Sequence, residues 1–489
     1  MQGKKEFKQR IYYDFNLESM VPKNHLLRRI DNVISFEFVR GITKNYYSHT
    51  GKPSIDPVVL IKMLLIGYLF DIRSERRLSE EISLNLAYRY YIGYDLDEQV
   101  PDHSIFSKAR TRFGKKLFLD IFEEILKKAI SYGLVSRDNL LVDSTIVKAN
   151  ASTDSLVEVN LSPEEYWREL DENEKETEPK QTKQVGSAFT GKIVKKKMGK
   201  HRRNRNAAYL RKRSTTDPDA TMFYRPGKGG SLSYKAHISS DQNGFITAVT
   251  ASPSALHDTG AVPELLNMHE KILGTPSFIV ADTKYGSEEC LKYLQDKGIK
   301  TAILPEVKNN RPGLFGKDKF FYDSQIDCYI CPNKKILNRR SKSYTLNRIN
   351  YLAKKHDCMD CSLKSLCLKP GKDSPRKVTH YDSNYYSKAR IWYYSYHGKI
   401  LQKLRSSVIE GIMGNAKAFY GMERAKFRGK DKVHIQFLLT VSAINLKKMV
   451  KILEANGLKQ SFLRAISCFS QLIKDINEKR IIIPVFLRA

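Results

Sequence analysis

The sequence predicts a mixed α/β protein with a helical N-terminal part, and three observations carry that prediction. Apolar residues recur at helical spacing over roughly residues 15–130. A short β-rich run, Leu140 to Val147, breaks that pattern with a single acid, Asp143. Strand and helix patterns then alternate as far as Glu306, which predicts a layered sheet-and-helix architecture.

The helical part is read from its caps. Asp56 or Ser54 can cap a helix beginning at Pro57, and Asp102 can cap another that carries Lys108, Arg110 and Arg112. A third helix runs from Lys115 and ends near Gly133. Short helices with basic faces suit a DNA-binding bundle, and equally a bundle with solvated lysines. Further on, Tyr234–Ser240 and Phe245–Ser252 read as strands joined through Asp241-Gln242-Asn243-Gly244, an Asn-Gly hairpin signal. A helix over 255–273, a buried-type strand over 277–282, a helix over 287–298 and a strand over 300–306 follow.

Between about 153 and 230 the chain is polar, first acidic and then strongly basic, and reads as a disordered or partly helical insertion. Lys192 to Arg213 holds eleven Lys or Arg and no acid. Overall, 84 Lys and Arg face 53 acids, a formal charge of +31 over 489 residues. Such an excess repels itself and calls for a polyanionic partner, nucleic acid first. The basic segment, including Lys195, Lys196, Lys197, Arg202 and Arg203, would neutralise phosphates without reading bases. A membrane is disfavoured, because the best apolar stretch, Val58–Phe70, is short and interrupted by Lys62. The N-terminus shows no signal peptide, so a cytoplasmic, reducing location is expected, where seven cysteines do not form disulfides.

Two acids stand out. Asp143 and Asp282 each end a run of buried-type strand residues, where a carboxylate costs free energy unless it is paired or binds a cation. Either acid alone could simply cap the next turn. Cleavage of a phosphodiester by two Mg²⁺ ions, however, needs several carboxylates converging on one point. The cysteines form a second candidate site. Cys328-x₂-Cys331 precedes Cys358-x₂-Cys361-x₅-Cys367, in a polar stretch that reads as too poor in apolar residues for a core. Zn²⁺ in thiolate coordination is the expectation, and spacing alone selects the two C-x₂-C pairs. Cys290 and Cys468 fit core positions.

These residues carry a resemblance. The Asp143-Ser144-Thr145 run, the Ala281-Asp282-Thr283-Lys284-Tyr285-Gly286-Ser287 turn and the helix Val408–Lys417 around Glu410 resemble the DDE transposases of bacterial insertion sequences. The resemblance extends to Thr216-Asp217-Pro218-Asp219-Ala220, His257-Asp258, Phe427-Arg428-Gly429 and Asn445-Leu446-Lys447-Lys448, and covers roughly 15–450. The nearest group has a helical N-terminal domain and a cysteine-bearing insertion before the Glu. The resemblance implies an RNase H-like mixed sheet in which Asp143, Asp282 and Glu410 bind catalytic Mg²⁺ or Mn²⁺. It places structural Zn²⁺ on Cys331, Cys358, Cys361 and Cys367, with Cys328 to spare. Of the related Y-x₂-R-x₃-E-x₆-K pattern, Lys417 is kept as a DNA contact; Lys403 and Ser406 occupy the Tyr and Arg positions, with Arg405 beside the latter. His257 and Asp258 are expected to orient rather than to ligate.

The organisation expected is a helical DNA-binding domain over 1–135 and a first catalytic part over 136–306 containing the insertion 153–230. A zinc insertion over 307–380, a second catalytic part over 381–455 and a tail over 456–489 complete it. The implied function is DNA transposition: double-stranded terminal inverted repeats are cut and their 3′ ends joined to target DNA, by a homodimer in the bacterial nucleoid. An RNase H-like nuclease without strand transfer is one alternative. A domesticated, non-catalytic DNA-binding protein is another.

Overall fold

The computed structural model describes residues 16–47, 54–158, 212–305, 313–343 and 348–478, apart from positions 226, 228, 370, 372, 373, 382 and 383. The chain opens with seven helices: α1 (Leu17–Met20), α2 (Leu26–Val33), α3 (Phe38–Thr43), α4 (Pro57–Leu69), α5 (Glu75–Leu84), α6 (Leu86–Ile92) and α7 (Ser104–Ser131). Asp56 caps α4 by accepting from Val58 N at 2.8 Å, with Pro57 at the first helical position. That helix is apolar nearly all round, and it is buried on nearly every side. Asp102 accepts from Ser104 N at 2.9 Å at the head of α7. The two helices expected over 104–131 meet at a kink at Gly114, whose φ of 59° only glycine adopts readily.

The main sheet has six strands: β1 (Asn139–Lys148), β4 (Thr221–Arg225), β5 (Gly229–Ser240), β6 (Ile246–Pro253), β7 (Phe278–Val280) and β8 (Lys300–Ala302). β2 (Leu156–Glu158) and β3 (Lys212–Ser214) pair with each other as a separate ribbon. Thus both ends of the stretch 153–230 are strands, and β4 belongs to the main sheet. Short runs such as Met222-Phe223-Tyr224 were hidden in the polar composition around them. β5 is central, antiparallel to β1 on one side and to β4 and β6 in succession on the other. β7 and β8 extend the sheet beyond β1 in parallel. The hairpin from β5 to β6 turns at Gly244, φ 79°, and is tied by Asp241, which accepts from Phe245 N at 2.7 Å.

Helices α8 (Val262–Leu273) and α9 (Glu288–Asp296) carry the chain between β6, β7 and β8. A second sheet follows, in the order β13 (Lys377–Tyr381), β12 (Arg348–Ala353), β11 (Ile336–Ser343), β10 (Cys328–Ile330), β9 (Phe321–Asp323), all antiparallel. It has its own small core of Phe320, Tyr329, Leu337, Ile349, Tyr351 and Val378. This corrects the expectation of a coreless polar stretch, because the tyrosines supply large apolar area while scoring as polar. Two short helices, α10 (Lys355–Met359) and α11 (Lys364–Cys367), lie between β12 and β13.

The chain then forms α12 (Asn384–Tyr394), α13 (Tyr396–Phe419) and the long α14 (Lys430–Glu478). One apolar core runs from Leu27 of α2 through α4 and α7 to Val249 of β6 and Val450 of α14. The N-terminal helices and the main sheet therefore share an interior, joined by α14. Among the described residues no helix is long and apolar enough to cross a membrane.

Candidate active site

Asp143 lies in the middle of β1, not at its end as its sequence context suggested; the strand runs on to Lys148 because β5 pairs with it throughout. The pairing with β7 is shorter. It stops at Leu141↔Val280, so Asp143 and Asp282 each lie two residues past the last pair, at the same level where the parallel strands part. Neighbouring strands are about 4.8 Å apart where they pair, so the two acids leave the sheet from adjacent strands and feel one another's charge. The carboxyl ends of parallel strands are where sites collect in open sheets.

Electrostatics agrees with that placement. Burial pushes the Asp143 carboxyl above its ordinary range and the charge of Asp282 adds to this, while the Ser144 amide and Arg405 pull it back only partly. Ser144 N donates to Asp143 Oδ1 at 2.7 Å, and Arg405 Nη1 donates to Oδ2 at 2.8 Å. Asp282 accepts from Lys284 N and so caps the following turn. Arg405 thus pairs with one of the two carboxylates, that of Asp143. Arg405 projects from α13, which Gln402 fastens to the sheet by donating to the carbonyls of Ala281 and Ala302.

Around the pair lie groups that the sequence flagged weakly or not at all. Tyr285 is buried, and its phenol is pushed far up by burial and by the negative charge of Asp258, Asp143 and Asp282. Asp258 is buried in an ion pair with Lys235 at 2.7 Å. Burial alone would raise its carboxyl, but the Lys235 hydrogen bond and charge outweigh it and leave it lowered. His257 caps the turn that follows it.

Glu410 lies on α13 one and a half turns beyond Arg405 and is exposed, while Ile409 and Ile412 take the buried face. Lys417 follows it by two turns on the same helix. Among the described residues no group of three or more His, Cys, Asp or Glu is drawn close enough to hold a metal ion. Asp143 and Asp282 are brought together; Glu410 is not brought against them. Lys195, Lys196, Lys197, Arg202 and Arg203 lie outside the described residues.

Several motif residues turn out to hold the frame. Asp217 is fully buried and accepts from Tyr234 Oη at 2.6 Å and Gly429 N at 3.0 Å; Asp219 accepts from Lys430 N at 2.8 Å. Asn445 bonds Ile246 on both its backbone groups, at 3.0 and 2.8 Å.

In the second sheet, Cys331, Cys358 and Cys361 all act on Cys367, whose thiol is pushed up by burial and by these three neighbours, against Arg376. Backbone N–H groups of Lys335 and Arg376 point at the sulfurs of Cys331 and Cys358, at 3.3 and 3.5 Å, and the Asn333 amide at that of Cys361, at 3.5 Å. Cys328 is buried on β10, and its thiol responds to Asp323 and Asp327 instead. Cys290 is a core residue, its thiol pushed up to about 12 by burial.

Two family models match the chain: a transposase domain (DUF772) over residues 15–112 and a transposase DDE domain over 330–450. The first spans α1 to the start of α7, and the second includes β11 to β13 of the second sheet, Arg405, Glu410 and Lys417. The chain is therefore a DNA transposase. Within that class it is an insertion-sequence DDE transposase, an enzyme that depends on divalent metal. No curated protein matches it. A cryo-EM structure of a piggyBac transposase synaptic complex with hairpin DNA aligns with 94% of this chain and 82% of its own, at 9% identity and a TM-score of 0.32. That score lies below the level of a shared fold.

Proposed function

We propose that Asp143, Asp282 and Glu410 hold the catalytic Mg²⁺ or Mn²⁺ of an RNase H-like core that cuts the ends of a DNA element and joins their 3′ ends to target DNA. The carrying observation is the common level of Asp143 and Asp282 on adjacent parallel strands. The strand order supports the RNase H-like reading: an antiparallel β6–β5–β1 meander, then β7 and β8 parallel to β1. The donor set suits a hard divalent cation, since one guanidinium bound to Asp143 alone leaves oxygen lone pairs and negative charge of the two carboxylates uncompensated. Bound metal would activate the attacking water or hydroxyl and stabilise the leaving oxygen. The chain's part is to set the level of the two Asp by sheet register, to supply Glu410 from α13, which would have to close on the pair, and to present Lys417 and Arg405 to the DNA backbone. Lys195, Lys196, Lys197, Arg202 and Arg203 would add contacts that do not read bases.

Cys331, Cys358, Cys361 and Cys367 form a structural Zn²⁺ site in this reading. The electrostatic reach of three of them to Cys367 and the N–H donors on three of the sulfurs support it, and zinc would draw the four thiols together. Two ends are joined in one event, so a homodimer on double-stranded DNA is the expected assembly, acting at the nucleoid. The test is a paired cleavage and strand-transfer assay on DNA carrying the element's ends. Wild-type protein should cut and join, and Glu410→Ala should do neither while still binding the ends. Near-wild-type cutting by Glu410→Ala would remove it from the ligand set, and cutting without joining would leave a nuclease.

A further inference from the structure

Away from the carboxylates, a cavity of about 310 Å³ opens where three distant segments meet. Arg110 comes from α7, Asn150 from just past β1, and Lys426, Phe427, Arg428 and Lys432 from the loop into α14 and its first turn. We propose that this cavity is a seat for a backbone phosphate of bound DNA, a site separate from the one that cuts. The inference rests on the reading that this chain acts on DNA.

The cavity is built, not incidental. The end of β1 and the loop are stitched together: Lys148 N donates to Glu423 O at 3.0 Å, and Ala425 N donates to Lys148 O at 2.7 Å. Asn150 donates to Lys426 O at 3.1 Å and receives Arg428 Nε on its own carbonyl at 3.1 Å. Asp217 and Asp219 hold the next two amides, those of Gly429 and Lys430. Four cations are thereby pointed at one space.

Of the four, Arg110 alone forms an ion pair among the described residues. Arg110 is neutralised by Glu75 at 3.0 Å and lies 4.2 Å from the Phe427 ring centre. Of the other acids nearby, Asp71 pairs with Arg73 at 3.0 Å, Asp431 lies 3.4 Å from Lys115, and the buried Asp217, which feels the charge of Arg428, accepts from Tyr234 and Gly429 N. Lys426 has the face of Tyr68 at 4.4 Å, and burial lowers its ammonium to about 8 despite Asp71 and Glu75. A half-buried ammonium of that kind is restored by an incoming anion. Arg428 and Lys432 are exposed at the rim. A phosphodiester supplies one negative charge and acceptor oxygens for both donor types. A hydrophobic ligand fits this lining poorly.

Arg428→Ala/Lys432→Ala, changed at the rim where folding is least affected, tests the idea in the full-length protein. With a fluorescent random-sequence duplex, the slope of log K against log salt should flatten by about 1, the value of one lost phosphate. Ethylation interference should lose one backbone position and keep the rest. Wild-type protein that fails to bind duplex overturns the DNA reading and this site with it. Wild-type binding with an unchanged slope and footprint in the variant overturns the site alone. Thermal stabilisation by inorganic phosphate that the variant loses, with duplex binding unaltered, assigns the cavity to a free phosphate and overturns DNA as its source.

Discussion

The carboxylate end of the main sheet and the cysteine-bearing sheet both gather polar groups from segments far apart, but they hold them in opposite ways. Asp143 stands on β1 and Asp282 two residues past the end of β7, so their level is set by strand register and by backbone hydrogen bonds that neither side chain makes. The four cysteines stand on turns and single-turn helices, where backbone N–H groups aim at the sulfurs themselves. Removing a ligand should therefore leave the first region standing and chemically dead, whereas the second should lose its shape. A reactive site gains from a scaffold indifferent to its ligands. A structural metal site is its own scaffold.

The largest effect expected from that contrast is on chemistry. Asp282→Ala should lower DNA cleavage about a thousandfold or more, about 4 kcal/mol in the barrier, with a thermal midpoint close to wild type. A variant that melts early would show that the carboxylate is part of the frame after all.

Next in size is the metal content of the second sheet. Wild-type protein should carry about one zinc per chain, and Cys367→Ser should lose it together with protection of β9–β13 in hydrogen exchange. Cys328→Ser should keep both. Zinc retained in the first variant and lost in the second would exchange the roles of Cys367 and Cys328.

The smallest effect concerns the guanidinium paired with Asp143. In Arg405→Ala, Mn²⁺ titrated in the absence of DNA should bind about threefold to tenfold more tightly at low salt, because a competing positive charge has gone. Cleavage should fall nevertheless if Arg405 moves on to DNA phosphate. Unchanged Mn²⁺ affinity would mean that the Arg405–Asp143 contact is compatible with a bound cation.

Much of this was legible in the sequence, for reasons of local chemistry. An acid closing an apolar run, an Asn-Gly hairpin and an Asp before Pro57 each declare themselves within a few residues. Asp143, Asp282 and the cap at Asp56 were found that way. What was not legible is set by distance. The common level of Asp143 and Asp282 depends on where β1 and β7 stop pairing, and Arg405 reaches Asp143 from 262 residues away. The Asp217–Asp219 run and Phe427-Arg428-Gly429 were both singled out, yet only the fold shows that the first caps the second. The second sheet was missed because Tyr329 and Tyr351 read as polar while burying most of their area.

The length of β1 has a consequence for where the DNA is cut. From Asp143 the chain runs almost straight to Asn150 at the cavity, and seven residues of extended backbone span at most about 23 Å. A duplex advances about 3.4 Å per base step along its axis, so that length corresponds to roughly seven steps. With a phosphate seated in the cavity, that length would be the most that could separate it from the carboxylate of β1. The cut would then fall within a distance bounded by protein, whatever bases lie between.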